Sequence, residues 1–135
     1  MRQIKQIIVH CSATKEGDHF TKADIDRWHK EQGYSCIGYH YVIYLDGSIH
    51  QGRAEDEIGA HCLGNNVTSI GICYIGGHNA YGEPKDTRTD KQKAALLTLL
   101  KKLKQKYPKA KVYGHRDFAK KSCPCFDAKE EYKDL

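Results

Sequence analysis

The sequence predicts an α/β fold: a single domain with a mixed central β-sheet flanked by helices. Three observations carry that expectation. Apolar, β-branched runs at 4–9 and 69–75 are too short for helices and suit buried strands. Two other segments, 21–32 and 89–107, have helical periodicity and marked ends. Their sequential order is β, α, ββ, β, α, β, which calls for a sheet covered by helices. At 135 residues the chain can bury one core, so the domain is expected to span 1–135.

Ile4 to Val9 opens the chain as a buried strand. In the helix that follows, Thr21 stands as N-cap, Phe20 and Ile25 have the spacing of a hydrophobic staple, and Gly33 occupies a C-terminal glycine position. Tyr39–Leu45 and Ser48–Gln51 flank Asp46-Gly47, which predicts a hairpin closed by a type I′ turn. Ser69 to Ile75 is a central strand, and Gly76 to Arg88, rich in Gly, Asn and Pro, is a surface loop. The second helix starts at a capping box, Thr89 with Gln92, and stops before Pro108. Leu96, Leu99, Leu100, Leu103 and Tyr107 form one apolar stripe along it. Lys111 to Gly114 is a short strand, and Asp127 caps a last helical turn.

Composition excludes several classes. Charged residues make 29% and hydrophobic residues 39% of the chain, so it is neither disordered nor a membrane protein. Lys and Arg total 22 against 17 Asp and Glu, a net charge of +5. That is too dispersed to indicate nucleic acid, and no nucleic-acid partner is expected. The N-terminal residues lack a signal-like apolar stretch, so synthesis in the cytoplasm without export is expected. The six cysteines are then expected as free or metal-bound thiols.

Chemistry gathers at strand ends. Ile7-Ile8-Val9 runs into His10-Cys11, and Lys111–Gly114 runs into His115. If these strands are parallel neighbours, both imidazoles emerge at the sheet edge where ligands bind. Cys123 follows in Lys121-Ser122-Cys123-Pro124, where the proline favours an extended backbone that points Lys121 and Cys123 the same way. Two imidazoles and a thiolate suit Zn²⁺ and leave a fourth position for water. On its own each His also fits a satisfied polar role, and Cys123 fits a small buried hydrophobe.

Six segments, in order, tie these residues together: Val9-His10-Cys11-Ser12-Ala13-Thr14, Trp28-His29-Lys30-Glu31-Gln32-Gly33, Gly38-Tyr39-His40-Tyr41, Ser69-Ile70-Gly71-Ile72, Gly114-His115-Arg116-Asp117 and Cys123-Pro124-Cys125-Phe126-Asp127. In them the chain resembles the type 2 N-acetylmuramoyl-L-alanine amidases and the peptidoglycan recognition proteins, from about Ile4 to Asp127. The resemblance implies a zinc-floored groove on the sheet. It places His10, His115 and Cys123 on the family's zinc ligands, Tyr39 on a catalytic tyrosine and Lys121 on a catalytic lysine. His61 falls in a groove-lining segment, which implies a substrate contact. His115 is followed by Arg116-Asp117, as in the recognition proteins, where the phage enzymes have a second histidine.

Other residues are expected to do less. His40 faces away from Tyr39, His29 packs on the first helix, and Cys11 points away from the metal. Cys125 shares the facing of Cys123. The expected activity is hydrolysis of the bond between N-acetylmuramic acid and L-alanine in peptidoglycan by a monomeric endolysin that does not enter the membrane. A muropeptide-recycling amidase, a non-catalytic wall-binding module and a Cys/His nucleophilic hydrolase remain as alternatives. The last lacks a group to orient its base.

Overall fold

A computed structural model describes residues 2–135. Strand β1 (Gln6–Cys11) lies between β5 (Ser69–Tyr74) and β7 (Lys111–Gly114), parallel to both. Beyond β5 come β3 (Tyr41–Ile43), also parallel, and β4 (Ile49–Gln51), antiparallel at the edge. The sheet is therefore mixed, in the order β4-β3-β5-β1-β7. Helices α1 (Lys22–Glu31) and α2 (Asp90–Lys106) cover its two faces, and the short α3 (Ala128–Glu131) packs beside β7.

Strand alternation divides the core. Ile7, Val9 and Cys11 of β1, with Ile70, Ile72 and Tyr74 of β5, meet the α2 stripe of Leu96, Leu99, Leu100 and Leu103. Burying each leucine contributes on the order of 1.5–3 kcal/mol, which fixes α2 to this face. Val42, Cys73 and Ile75 face the other way, toward Ile25 and Trp28 of α1. Both helix starts carry capping boxes, Thr21 with Asp24 and Thr89 with Gln92. Gly33, at φ +99, follows α1 in the left-handed conformation that suits glycine.

Four expectations are corrected. First, β1 continues through His10 and Cys11, so the ligand candidate lies within the strand. Second, β3 and β4 are joined through residues 44–48, where Tyr44 N–H donates to Ser48 O around a turn of residues 45–47 in which only Gly47 has positive φ (+85) and donates its N–H to Tyr44 O. A type I′ turn needs positive φ at Asp46 as well. Third, Tyr39 and His40 precede β3 instead of lying in it, although Arg53 N–H still donates to Tyr39 O at 3.0 Å. Fourth, the 76–88 segment contributes a strand, β6 (Gly77–His78), which pairs parallel with β2 (Thr14–Lys15) in a separate two-stranded sheet.

Candidate metal centre and active-site groove

The parallel pairing of β1 with β7 sets Val9 opposite Gly114, and the next residue after each is a histidine. His10 is buried at the end of β1, and His115 opens a 3₁₀ turn after β7. Their rings stand 4.6 Å apart between centroids. Cys123 arrives from the C-terminal loop. One donor atom from each of His10, His115 and Cys123 lies within 4.8 Å of the others.

Hydrogen bonds hold the cysteine loop in place. Arg116 N–H donates to Cys123 O at 2.8 Å, and the buried Tyr74 hydroxyl donates to Pro124 O at 2.6 Å. Cys11 N–H points at the Cys123 sulfur from 3.2 Å, a contact that steadies a thiolate. A Cβ on Gly114 would sit 2.7 Å from the Pro124 ring, so the strand can approach the loop this closely only with glycine there. The loop is not extended as the proline suggested. It turns, with Lys121 N–H bonded to Ala119 O and Cys125 N–H to Ser122 O. Cys125 has φ +72, which sends its sulfur away from the centre to Cys11 Sγ (3.9 Å) and Gly77 O. It therefore does not share the facing of Cys123.

Lys121 and Cys123 nevertheless line the same groove, with Tyr39, Trp28, His29 and His115. The groove extends along His115 and Lys121 toward Phe118, Asn66 and Leu63. Tyr39 leans over the centre, its ring 5.0 Å from that of His10. His29, expected to pack on the first helix, also supports Tyr39: its Nδ1 accepts the Gly38 N–H at 2.8 Å, and its ring lies 5.3 Å from that of Tyr39. His40, by contrast, is fully buried, bonded to Gly71 N–H and Glu57 O, and serves the fold.

His61 has different partners from the substrate contact expected of it. Its Nδ1 lies 2.8 Å from His10 Nε2, its Nε2 lies 3.2 Å from Ser69 Oγ, and it is only 9% exposed. Nothing in the chain pattern links residues 10 and 61. The signal available was a pair of small residues, Ser69 and Gly71, alternating with the bulky Ile70 and Ile72 of the opposite face.

Electrostatics favour neutral imidazoles and a protonated phenol. Burial first, then the neighbouring His61, His115 and Lys121, holds His10 well below the usual imidazole range. Burial and then Lys121 lower His115, and burial brings His61 down to about 3. Burial, reinforced by the Cys73, Cys123 and Cys11 thiols, raises Tyr39 well above an ordinary phenol. Two neutral imidazoles beside a thiol, with no carboxylate, form a donor set that fits zinc better than a hard, oxygen-seeking cation.

Residues 1–126 match the family Amidase_2, described as N-acetylmuramoyl-L-alanine amidase. The chain is 44% identical over 126 residues to an endolysin of Enterobacteria phage K11, covering 93% of this chain and 83% of that protein. Among solved structures it is similar to the N-acetylmuramoyl-L-alanine amidase LysC from Clostridium intestinale, with TM-score 0.81 and 29% identity over 96% of this chain and 82% of that one. It is also similar to a mutant of Drosophila PGRP-LB solved in complex with tracheal cytotoxin. The TM-score there is 0.82, with 26% identity over 100% of this chain and 83% of that one.

Proposed function

The chain belongs to the type 2 N-acetylmuramoyl-L-alanine amidase family, and from that premise we propose that zinc held by His10, His115 and Cys123 serves its hydrolysis of peptidoglycan. The bond cleaved is the amide between the lactyl group of N-acetylmuramic acid and L-alanine. The convergence of three suitable donor atoms within 4.8 Å, at the floor of a groove, carries this reading.

Bound there, zinc would act as a Lewis acid and bring the pKa of a coordinated water near 7. The chain's own residues do the rest. The Lys121 ammonium, exposed at the groove and near His10 and His115, offers positive charge and N–H donors to the carbonyl oxygen as negative charge builds on it. Tyr39 keeps its proton, so its hydroxyl can donate to that oxygen or orient the attacking water. Trp28 and Tyr34 wall one side of the groove, and the exposed Leu63 rims its extension, giving apolar surface for a sugar face and a peptide stem. His61 closes the floor beneath them.

The expected substrate is wall peptidoglycan or a muropeptide, in keeping with the neighbour solved with tracheal cytotoxin. The similarity to phage endolysins favours action on the wall after release. Among the described residues no helix is long and apolar enough to cross a membrane. Retention of Cys123 and Lys121 argues against a wall-binding module without catalysis.

Digestion of purified sacculi tests this. The products expected are peptides with a new L-alanine amino terminus and glycan strands of unchanged length, with activity lost to chelator and restored by zinc. New reducing sugar ends, or activity indifferent to chelation, would refute it.

A further inference from the structure

Resting on the zinc reading above, we infer that His61 is a positioning residue of the metal centre, a buried acceptor that fixes the tautomer and orientation of His10. The argument begins with His10 Nε2. It lies 2.8 Å from His61 Nδ1, so that nitrogen is occupied and only Nδ1 of His10 is left to join the donor set. A neutral imidazole that offers Nδ1 to a metal carries its proton on Nε2. The His10 Nε2–H therefore donates, and His61 Nδ1 accepts. That choice settles the next bond, because a neutral His61 accepting at Nδ1 must be protonated at Nε2. Its Nε2–H faces Ser69 Oγ at 3.2 Å, a fully buried hydroxyl that can accept it. The relay closes without an orphan: no buried side-chain nitrogen or oxygen among the described residues lacks a partner.

The surroundings are shaped for this ring. The two imidazoles meet edge-on, at 89° and 4.9 Å between centroids. A Cβ on Gly71 would lie 2.6 Å from the His61 ring, and one on Gly59 would lie 2.7 Å away. The Asn66 side chain accepts both the His61 N–H (3.0 Å) and the Cys62 N–H (2.9 Å), which anchors the backbone on either side of the Cα–Cβ bond that aims the ring. Two strand positions and a loop are thus given over to placing one acceptor behind one ligand. Both ring nitrogens are used within the protein, which leaves neither for substrate.

Two substitutions separate this role from packing. His61→Phe keeps the ring volume and removes the acceptor, whereas His61→Asn offers an amide oxygen near the place of Nδ1. Zinc affinity is measured by competition with a chromophoric chelator, and the thermal unfolding of each metal-free protein is recorded beside it. Phe is expected to weaken zinc binding about 10–100-fold while the metal-free melting curve stays close to wild type, and Asn to recover most of the loss. In addition, ¹⁵N NMR of metal-free wild type is expected to show His10 protonated on Nε2. Equal zinc affinity for wild type and His61→Phe, or a His10 proton on Nδ1, would overturn the inference. Wild type that takes up no zinc would overturn the metal-centre reading and this inference with it, and that failure is seen before any variant is made.

Discussion

At the scale of single residues, two side chains separate metal from chemistry. Cys123→Ala removes the only sulfur of the donor set, so bound zinc and wall hydrolysis should vanish together while the fold persists. Metal analysis beside a sacculus assay checks this, and a variant that keeps its zinc would contradict it. Lys121→Met keeps the stem and deletes the charge. Its kcat should fall about 10²–10³-fold with zinc content unchanged, since the ammonium acts on charge that develops only in the transition state. Loss of zinc from that variant would assign Lys121 to the metal instead. His10, His115 and Cys123 were legible in the sequence because parallel strand ends and a nearby Cys-Pro define a meeting point. Cys125 was misread because alternation of facing applies only to extended chain, and φ +72 at that residue breaks it. The contact between His61 and His10 was not legible, because the two lie 51 residues apart and meet only through which strand faces which.

At the scale of elements, the fold shows where the chain spends its specificity. The α2 stripe and both N-caps could be read from local spacing, and the structure keeps them. The small β2–β6 sheet could not, since two-residue strands carry no periodicity and their pairing is long-range. Strand β5 is the informative case. Its α2 face carries Ile70, Ile72 and Tyr74, while Ser69 and Gly71 on the other face leave room for a buried imidazole. Gly71→Ala should therefore cost about 1–3 kcal/mol by overpacking and also weaken zinc binding, because the ring it displaces touches a ligand. Leu100→Ala, on the opposite face, should cost about 2–5 kcal/mol and leave zinc affinity intact. Urea titrations of the metal-free proteins, paired with chelator competition, distinguish the two. Equal effects on zinc would show that the two faces of β5 are not independent.

At the scale of the whole molecule, histidines held below their ordinary pKa tie stability to pH. In the native state His10, His61 and His115 are held below the ordinary imidazole range, His61 at about 3, whereas in the unfolded chain each protonates near 6.5. Between those limits the unfolded state binds more protons than the native one. The metal-free protein should therefore lose stability as pH falls from about 6.5 toward 3, by up to about 1.4 kcal/mol per pH unit for each of the buried His10 and His61 and by less for the half-exposed His115. Urea midpoints at pH 7.5 and pH 5 check the sign, and equal midpoints would contradict it. The order of the five main-sheet strands and two long helices was readable from the sequence, and so was the convergence of His10, His115 and Cys123. What required the assembled molecule was the layer behind the candidate ligands, which joins β1, β5 and the loop carrying His61. Cobalt(II) substitution tests the centre most directly, since absorption reports both ligand type and geometry. One equivalent should give a thiolate-to-cobalt charge-transfer band with intense tetrahedral d–d bands, both absent from Cys123→Ala. Weak octahedral bands without a thiolate transition, or a spectrum unchanged by that substitution, would mean the ion is not held by these three side chains.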